Sequence, residues 1–284
     1  MTDRGDTGRG APRSQRTRTV LVTFLGAMVR RMGDWMPIAG TVELMGQFGL
    51  DAPGVRTAVF RLKKRGWLVS ETRDGMRGYA LTPLALKALA AGDEIIWHTR
   101  QPADLADGWC VVHFSVPESA RAKRDQLRSH LASLGFGNVG TAMWIAPARN
   151  QEAAEQAVAE LGLDKYAAIF VGQHVGGQDL STLLYASWDL AEIDGRYRDF
   201  IERFGREADA LQPGAPIDPQ HAFVTYLEVI DHWRKLPFRD PGLPRELLAE
   251  DWSSPEAGAL FEQIVALLEE RALAHAARCW DAGR

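Results

Sequence analysis

The side chains best suited to recognising nucleic acid lie close together between residues 56 and 64. They are Arg56, Thr57, Arg61, Lys63 and Lys64. Arginine can donate two hydrogen bonds to guanine, and lysine can neutralise a phosphate, so this set of donors suits a DNA groove. The pattern predicts base reading by Arg56 and Thr57, with backbone contacts by the other three. Arg73 and Arg77 follow in a glycine-containing segment and would reach a neighbouring groove.

Three helices and a hairpin are predicted to position these side chains. Apolar periodicity predicts helices over 20–29, 41–48 and 52–65, with an extended piece at 35–38 between the first two. Asp51 is a good N-cap for the third helix, and Val55, Ala58, Val59 and Leu62 form its apolar face. A strand over 67–71, a hairpin tip over 73–78 and a helix from Pro83 to about residue 97 complete a winged helix-turn-helix.

The distribution of charge supports a nucleic-acid module at this end of the chain. Residues 1–90 carry 15 Lys and Arg against 7 Asp and Glu, a net charge of +8. The remaining residues carry 18 against 30, a net charge of −12, so the whole chain has a charge of −4. Such asymmetry is typical of a nucleic-acid module joined to another domain. Two alternatives are a disordered basic tail and a solvated basic helix in a protein–protein module.

A family resemblance rests on three stretches of this N-terminal region. They are GVRTAVFRL at 54–62, GWL at 66–68 and RGYALT at 77–82. Together they resemble the N-terminal domain of the PaaX-type repressors, which regulate genes of phenylacetic-acid degradation. The resemblance implies a transcriptional repressor that binds double-stranded operator DNA. Because a single recognition helix covers too few base pairs for a unique site, a homodimer is expected.

The middle of the chain predicts a small ferredoxin-like domain. Strands are predicted over 108–116, 140–146 and 167–172, with helices over 118–134 and 151–161 between them. This series is similar to the central domain of PaaX-type proteins, which is similar in turn to the Cas2 nuclease fold. Cas2-like nucleases carry an acidic residue at the end of the first strand, but Phe114-Ser115-Val116-Pro117 stands there and Glu118 lies beyond the proline.

Other patterns in the chain do not form a catalytic or metal site. Gly135, Gly137 and Gly140 match a dinucleotide fingerprint, but they follow a predicted helix instead of a strand, which indicates a loop. His113 lies within a predicted strand and His174 in a loop, and no Ser/His/Asp or HExxH grouping is present. We therefore expect no enzyme activity, no metal and no cofactor.

The last third of the chain is predicted to be helical, with helices over 222–236 and 259–280 and a linker at 211–216. The segment from Arg239 to Trp252 reads RDPGLPRELLAEDW, and WDL precedes it at 188–190. Both patterns resemble the C-terminal domain of the same family, which implies an aryl-CoA effector such as phenylacetyl-CoA that lowers operator affinity. Trp233, Trp252, Arg234 and Arg239 could stack on a ring and hold phosphates. The alternative is that they form a core with its surface ion pairs.

The sequence as a whole predicts an α+β protein. Its parts are a basic tail over 1–18, a winged helix-turn-helix over 19–98, a ferredoxin-like (Cas2-like) domain over 108–180 and an α-helical domain over 181–284. The N-terminus has no apolar secretion signal, no apolar run reaches membrane-spanning length, and Cys110 and Cys279 lie far apart, so a cytoplasmic protein is expected. Two other function classes stay open, a nucleic-acid-processing enzyme and a DNA-binding adaptor without an effector.

Overall fold

The computed structural model describes residues 13–93, 96, 101–211, 216–237 and 239–282. The helices of this part of the chain are α1 (Arg13–Ala27), α2 (Ile38–Gln47), α3 (Ala52–Lys64), α4 (Pro83–Asp93), α5 (Arg121–Ser133), α6 (Gln151–Glu160), α7 (Leu180–Ser187), α8 (Leu190–Ala210), α9 (Pro219–Trp233) and α10 (Ser254–Asp281). The strands are β1 (Trp35–Pro37), β2 (Leu68–Arg73), β3 (Met76–Leu81), β4 (Trp109–Phe114), β5 (Gly137–Asn138), β6 (Met143–Pro147) and β7 (Ala167–Gly172). The strands form two separate antiparallel sheets, which confirms the predicted α+β class.

The chain divides into two compact units that are not continuous in sequence. The first takes the described residues up to Gly92 together with those of 207–232 and those from Phe261 onwards. The second takes the described residues of 93–206 together with those of 233–260. Residues of the predicted helical segment 181–284 therefore contribute to both units. The predicted domain boundaries stay a prediction.

Helices α1, α2 and α3 with the β2–β3 hairpin form the predicted winged helix-turn-helix in the first unit. The Asp51 carboxylate accepts a hydrogen bond from the Gly54 N–H at 2.7 Å, so Asp51 caps α3 as predicted. Gly49 has a φ of +84°, a conformation that favours glycine at the turn between α2 and α3. The predicted apolar face of α3 is buried at Val55, Ala58, Val59 and Leu62.

Several boundaries in this unit differ from the predictions; α2 begins at Ile38 and not at residue 41, and the largest differences are at α1 and at the wing. Helix α1 begins at Arg13 and not at residue 20, because buried Thr17 extends the inward face of the helix by one turn before Leu21. Part of the predicted basic tail is therefore helical. The wing turn is only Asp74-Gly75, with φ values of 49° and 79° that suit a two-residue type I′ hairpin. The strands consequently reach Arg73 and begin again at Met76, so the tip is shorter than the predicted 73–78.

Helices α9 and α10 complete the core of the first unit. The Phe24 ring of α1 packs edge-on against Phe223 of α9 and against Trp280 of α10, with ring centroids 6.4 Å apart in both pairs. Thr23 donates a buried hydrogen bond of 2.7 Å to the Asp231 carboxylate. The end of the chain is therefore part of the same compact unit as the winged helix-turn-helix.

The second unit contains the predicted ferredoxin-like domain. Its sheet has the order β5-β6-β4-β7, and chain order gives the β-α-β-β-α-β succession of that fold. Side chains of β4, α5 and α6 meet in its core, with Val112, Leu127 and Ala154 fully buried. Strand β5 was not predicted because it spans only Gly137-Asn138 and lacks an apolar alternation.

An aromatic cluster occupies the helical part of the second unit. Tyr197 of α8 lies 6.1 Å from Trp233 and 6.4 Å from Trp252, measured between ring centroids. The Tyr197 hydroxyl donates a hydrogen bond of 2.8 Å to Asp240, and burial raises the pKa of that carboxyl. Of the predicted linker over 211–216, residues 212–215 lie outside the described residues.

Candidate nucleic-acid interface

Helix α3 presents a polar, basic surface opposite its buried face. All five side chains proposed for DNA contact on this helix are exposed, namely Arg56, Thr57, Arg61, Lys63 and Lys64. The separation of the two faces follows from the helical period, because the four buried residues lie on one side of the helix axis. The structure therefore brings the predicted set together on one surface.

The exposed side chains of α3 differ in how far they are engaged within the protein. The Thr57 hydroxyl donates to the Pro53 carbonyl at 2.8 Å, and the Lys63 ammonium donates to the Ser70 hydroxyl at 2.8 Å. The side chains of Arg56 and Arg61 make no hydrogen bond or ion pair within the described residues. These two guanidinium groups are free to bind an external acceptor.

The two wing arginines have different surroundings. Arg73 pairs with Glu71 at 2.5 Å, donates to the Gly33 carbonyl at 3.1 Å and lies over the Trp35 ring at 5.5 Å. These contacts hold the Arg73 side chain, which lies next to the wing turn, against the protein. Arg77 is exposed on β3, beside the Asp74-Gly75 turn. A DNA role for either residue stays a prediction, and Arg77 is the less engaged of the two.

A second basic helix, α5, has most of its cations engaged in ion pairs or hydrogen bonds, and Arg128 lies over the Trp144 ring at 6.0 Å. Arg121 and Arg124 both lie within salt-bridge distance of Glu118 and Asp125. Lys123 donates to a backbone carbonyl at 2.7 Å. A basic sequence pattern therefore does not identify a nucleic-acid surface by itself, and the unengaged arginines distinguish α3 from α5.

The residues predicted to hold an effector lie in the second unit. Trp233 is fully buried and Trp252 is nearly so, because both pack into the aromatic cluster around Tyr197. Arg239 is exposed and lies 3.8 Å from the Glu192 carboxylate. Arg234 is half-buried and also has interactions within the protein. The assignment stays a prediction, and the buried indole rings could stack on a ligand only if this core opened.

The described residues offer no arrangement typical of a metal or membrane site. They contain no group of three His, Cys, Asp or Glu side chains placed to hold a metal ion. Among these helices, none combines the length and the apolar character that crossing a membrane needs. Gly135, with a φ of +85°, ends α5, and Gly137 lies in β5, so the glycines of the dinucleotide-like pattern follow a helix as predicted.

Phe60 is the surface residue of α3 that the sequence analysis did not assign to DNA. Its side chain is 56% exposed, and the Lys64 ammonium lies 5.6 Å from the ring centroid. Arg65, directly after α3, is also exposed. The helical period places Phe60 on the basic surface, but an apolar side chain does not by itself indicate a DNA contact.

Comparison with known proteins gives matches along most of the chain. Family models match the PaaX-like protein at residues 16–84, the PaaX protein central Cas2-like domain at 102–184 and the PaaX-like protein C-terminal domain at 188–278. The transcriptional repressor PaaX of Escherichia coli strain K12 is 25% identical over 261 residues, which cover 90% of this chain and 81% of that protein.

A solved structure has the same fold. It is the uncharacterized protein Rv0674 from Mycobacterium tuberculosis, with a TM-score of 0.60 and 20% sequence identity over 91% of this chain and 98% of that chain. The match confirms the architecture. Since the three family models match successive segments in the same order as the three predicted parts, this chain belongs to the PaaX-like family of transcriptional regulators.

Proposed function

We propose that the protein is a cytoplasmic transcriptional repressor that binds operator DNA through α3 and the wing. The observation that carries the proposal is the pair of unengaged guanidinium groups, Arg56 and Arg61, on the exposed face of a capped helix. A helix of this kind enters the major groove, where arginine reads guanine and lysine binds phosphates. A single recognition helix covers few base pairs, so the protein acts as a homodimer on a two-fold-related site.

Replacing Arg56 by alanine is expected to weaken binding to specific DNA by about 1–3 kcal/mol, because its guanidinium contacts a base edge, and Arg61→Ala should weaken binding by removing a backbone contact. Both side chains are exposed and lie off the buried face of α3, so the thermal midpoint of unfolding should not change. The measurement is a mobility-shift titration at fixed salt. The probe is a duplex selected by the wild-type protein from a random-sequence pool.

The matched control is Arg121→Ala, which removes an exposed arginine of α5 whose side chain has salt-bridge partners on the protein. This variant should bind the selected duplex like the wild type. Wild-type affinity in both the Arg56 and the Arg61 variants would exclude α3 as the recognition helix.

The proposal extends to an effector and an operon. We propose that the repressor controls genes of aromatic-acid (phenylacetate) catabolism and that an aryl-CoA such as phenylacetyl-CoA releases it from DNA. The support is the resemblance of the C-terminal segment to that of PaaX-like proteins, together with exposed Arg239 as a cation for the phosphates of the thioester. A ligand that binds the DNA-free form better weakens DNA binding by the same factor.

Phenylacetyl-CoA is expected to lower affinity for the selected duplex by roughly 5- to 150-fold, the usual range of coupling between two sites. Free phenylacetate lacks the CoA phosphates and should have no effect. Calorimetry with the DNA-free protein should give close to one ligand per chain. Arg239→Ala should weaken this binding, and Arg121→Ala should not.

Two outcomes would change the effector assignment. Unaltered ligand binding by the Arg239 variant would place the site elsewhere. If neither aryl-CoA nor aliphatic acyl-CoA thioesters bind or shift the DNA complex, the effector hypothesis fails. DNA recognition by α3 would still be tested by the arginine variants.

A further inference from the structure

The exposed surface of α3 carries one large apolar side chain, Phe60, in a central row between two basic flanks. Successive residues of a helix are about 100° apart, and the four buried residues of α3 therefore centre on one direction. Directly opposite lies the row Pro53, Thr57, Phe60 and Lys64, with the spacing i, i+4, i+7, i+11. Arg56 and Lys63 lie on one side of this row, and Arg61 lies on the other.

This arrangement matches the cross-section of a DNA groove. The major groove is about 12 Å wide and admits one helix, so the central row of the helix faces the base edges and its flanks face the two phosphate walls. Arg61 and Lys63 on the flanks are suited to the walls, and the long Arg56 side chain can reach a base edge from its flank. The central row places Phe60 towards the bases.

Phe60 is the large apolar member of the central row. Its ring is 56% exposed, so solvent or a partner must cover it. Beside it, the Thr57 hydroxyl hydrogen is already donated to Pro53, which leaves the threonine methyl as an apolar neighbour. The ring has no hydrogen-bond donor and cannot pair with the polar base edges. The C5-methyl group of thymine is the apolar group that the major groove offers.

We propose that Phe60 is a specificity-determining residue that packs against the C5-methyl group of a thymine in each operator half-site. The inference rests on the proposed function, because it assumes that α3 enters the major groove. Lys64, 5.6 Å from the ring centroid, keeps a cation beside this contact for the adjacent phosphate. The recognition helix thus reads its site through an apolar contact as well as through arginine.

Deoxyuridine tests the contact because it lacks only the C5-methyl group and keeps the hydrogen-bonding edge of thymine. The full-length wild-type protein is first used to select duplexes from a random-sequence pool. Each thymine of the recovered site is then replaced in turn by deoxyuridine. One position in each half-site should show a loss of about fourfold in affinity, which corresponds to one methyl-sized group no longer buried.

The Phe60→Ala variant should bind the thymine and deoxyuridine duplexes equally at that position. Its affinity for the unmodified site should fall by roughly fivefold to thirtyfold, since it loses a buried aromatic contact. Leu84→Ala is the matched control, because Leu84 of α4 is also 56% exposed. That variant should keep the fourfold preference for thymine. Circular dichroism melting should show that both variants are folded, since both side chains are exposed.

The outcomes separate this inference from the proposed function. If the wild type recovers no preferred sequence, the Phe60 contact and the proposed function are both overturned. If it recovers a site without a thymine that is sensitive to methyl removal, or if Phe60→Ala keeps the preference, only the Phe60 contact is overturned. Loss of the preference in Leu84→Ala as well would also overturn it, because the effect would not be local to α3. Wild-type affinity in Phe60→Ala would indicate that the ring serves a different partner.

Discussion

Replacing Gly78 by alanine is expected to lower the free energy of unfolding by about 3 kcal/mol, at the upper end of the usual cost of overpacking. A Cβ atom at Gly78 would lie 2.4 Å from the Met36 carbonyl oxygen and 2.5 Å from the Trp35 ring. The first of these contacts is with backbone, so the strain cannot be relieved by moving a side chain. Chemical denaturation of the full-length protein measures the change.

The same substitution should lower DNA affinity roughly tenfold, because the wing carries Arg77, which is predicted to reach a neighbouring groove. Gly78 pairs with Pro37 on one side and with Glu71 on the other, so it lies in the central strand of the wing sheet. Trp35 in turn lies under Arg73. Displacing the Trp35 ring would therefore disturb the packing of Arg73 beside the wing turn and shift Arg77, the neighbour of Gly78.

Gly92→Ala is the control for this prediction. Gly92 lies in α4, and no atom lies within 4 Å of the position that its Cβ would occupy. Alanine in a helix is favoured over glycine by about 1 kcal/mol, so this variant should be at least as stable as the wild type. Equal stability of the Gly78 and Gly92 variants would contradict the close packing of Trp35 against β3.

The winged helix-turn-helix could be predicted because its signals are local. Asp51 caps a helix that begins one residue later, and the buried face of α3 repeats within a single element. The Asp74-Gly75 pair similarly specifies a tight hairpin. Local patterns of this kind do not depend on the rest of the chain, so they were sufficient for the elements that carry the proposed DNA contacts.

The surroundings of the aromatic residues in the C-terminal third could not be predicted from local sequence patterns. Trp233 and Trp252 were predicted to stack on an effector, with a buried core as the alternative. Periodicity identifies a helix face but does not say whether a protein core or a ligand covers an indole ring. The structure places both rings against Tyr197, and that contact spans 36 residues of chain for Trp233 and 55 for Trp252.

The assembly of the first unit could not be predicted either, because it depends on long-range contacts. Thr23 and Asp231 are 208 residues apart in sequence, yet their side chains share a buried hydrogen bond. Gln47 and His275 are 228 residues apart in sequence, yet the Oε1 atom of Gln47 lies 2.8 Å from the Nε2 atom of His275. No local pattern in α1 or α2 indicates that the end of the chain packs against them.

Gly40→Ala tests this unforeseen packing and should lower the free energy of unfolding by about 1–3 kcal/mol. A Cβ atom at Gly40 of α2 would lie 2.7 Å from the Trp280 ring and 3.2 Å from the Cys279 carbonyl oxygen. Gly46→Ala is the matched control on the same helix, because nothing lies within 4 Å of its Cβ position. That variant should gain about 0.5–1 kcal/mol from helix propensity alone.

Gly40→Ala should also weaken DNA binding, because α2 packs against α3, the proposed recognition helix. The Thr41 hydroxyl and the Trp280 indole N–H are also buried, with no hydrogen-bond partner within the described residues. Gly40→Ala should therefore be less stable in chemical denaturation than Gly46→Ala, and it should also bind the selected duplex more weakly in mobility-shift titrations. If Gly40→Ala matched Gly46→Ala in both measurements, the contact between α2 and the end of α10 would not support the helix-turn-helix.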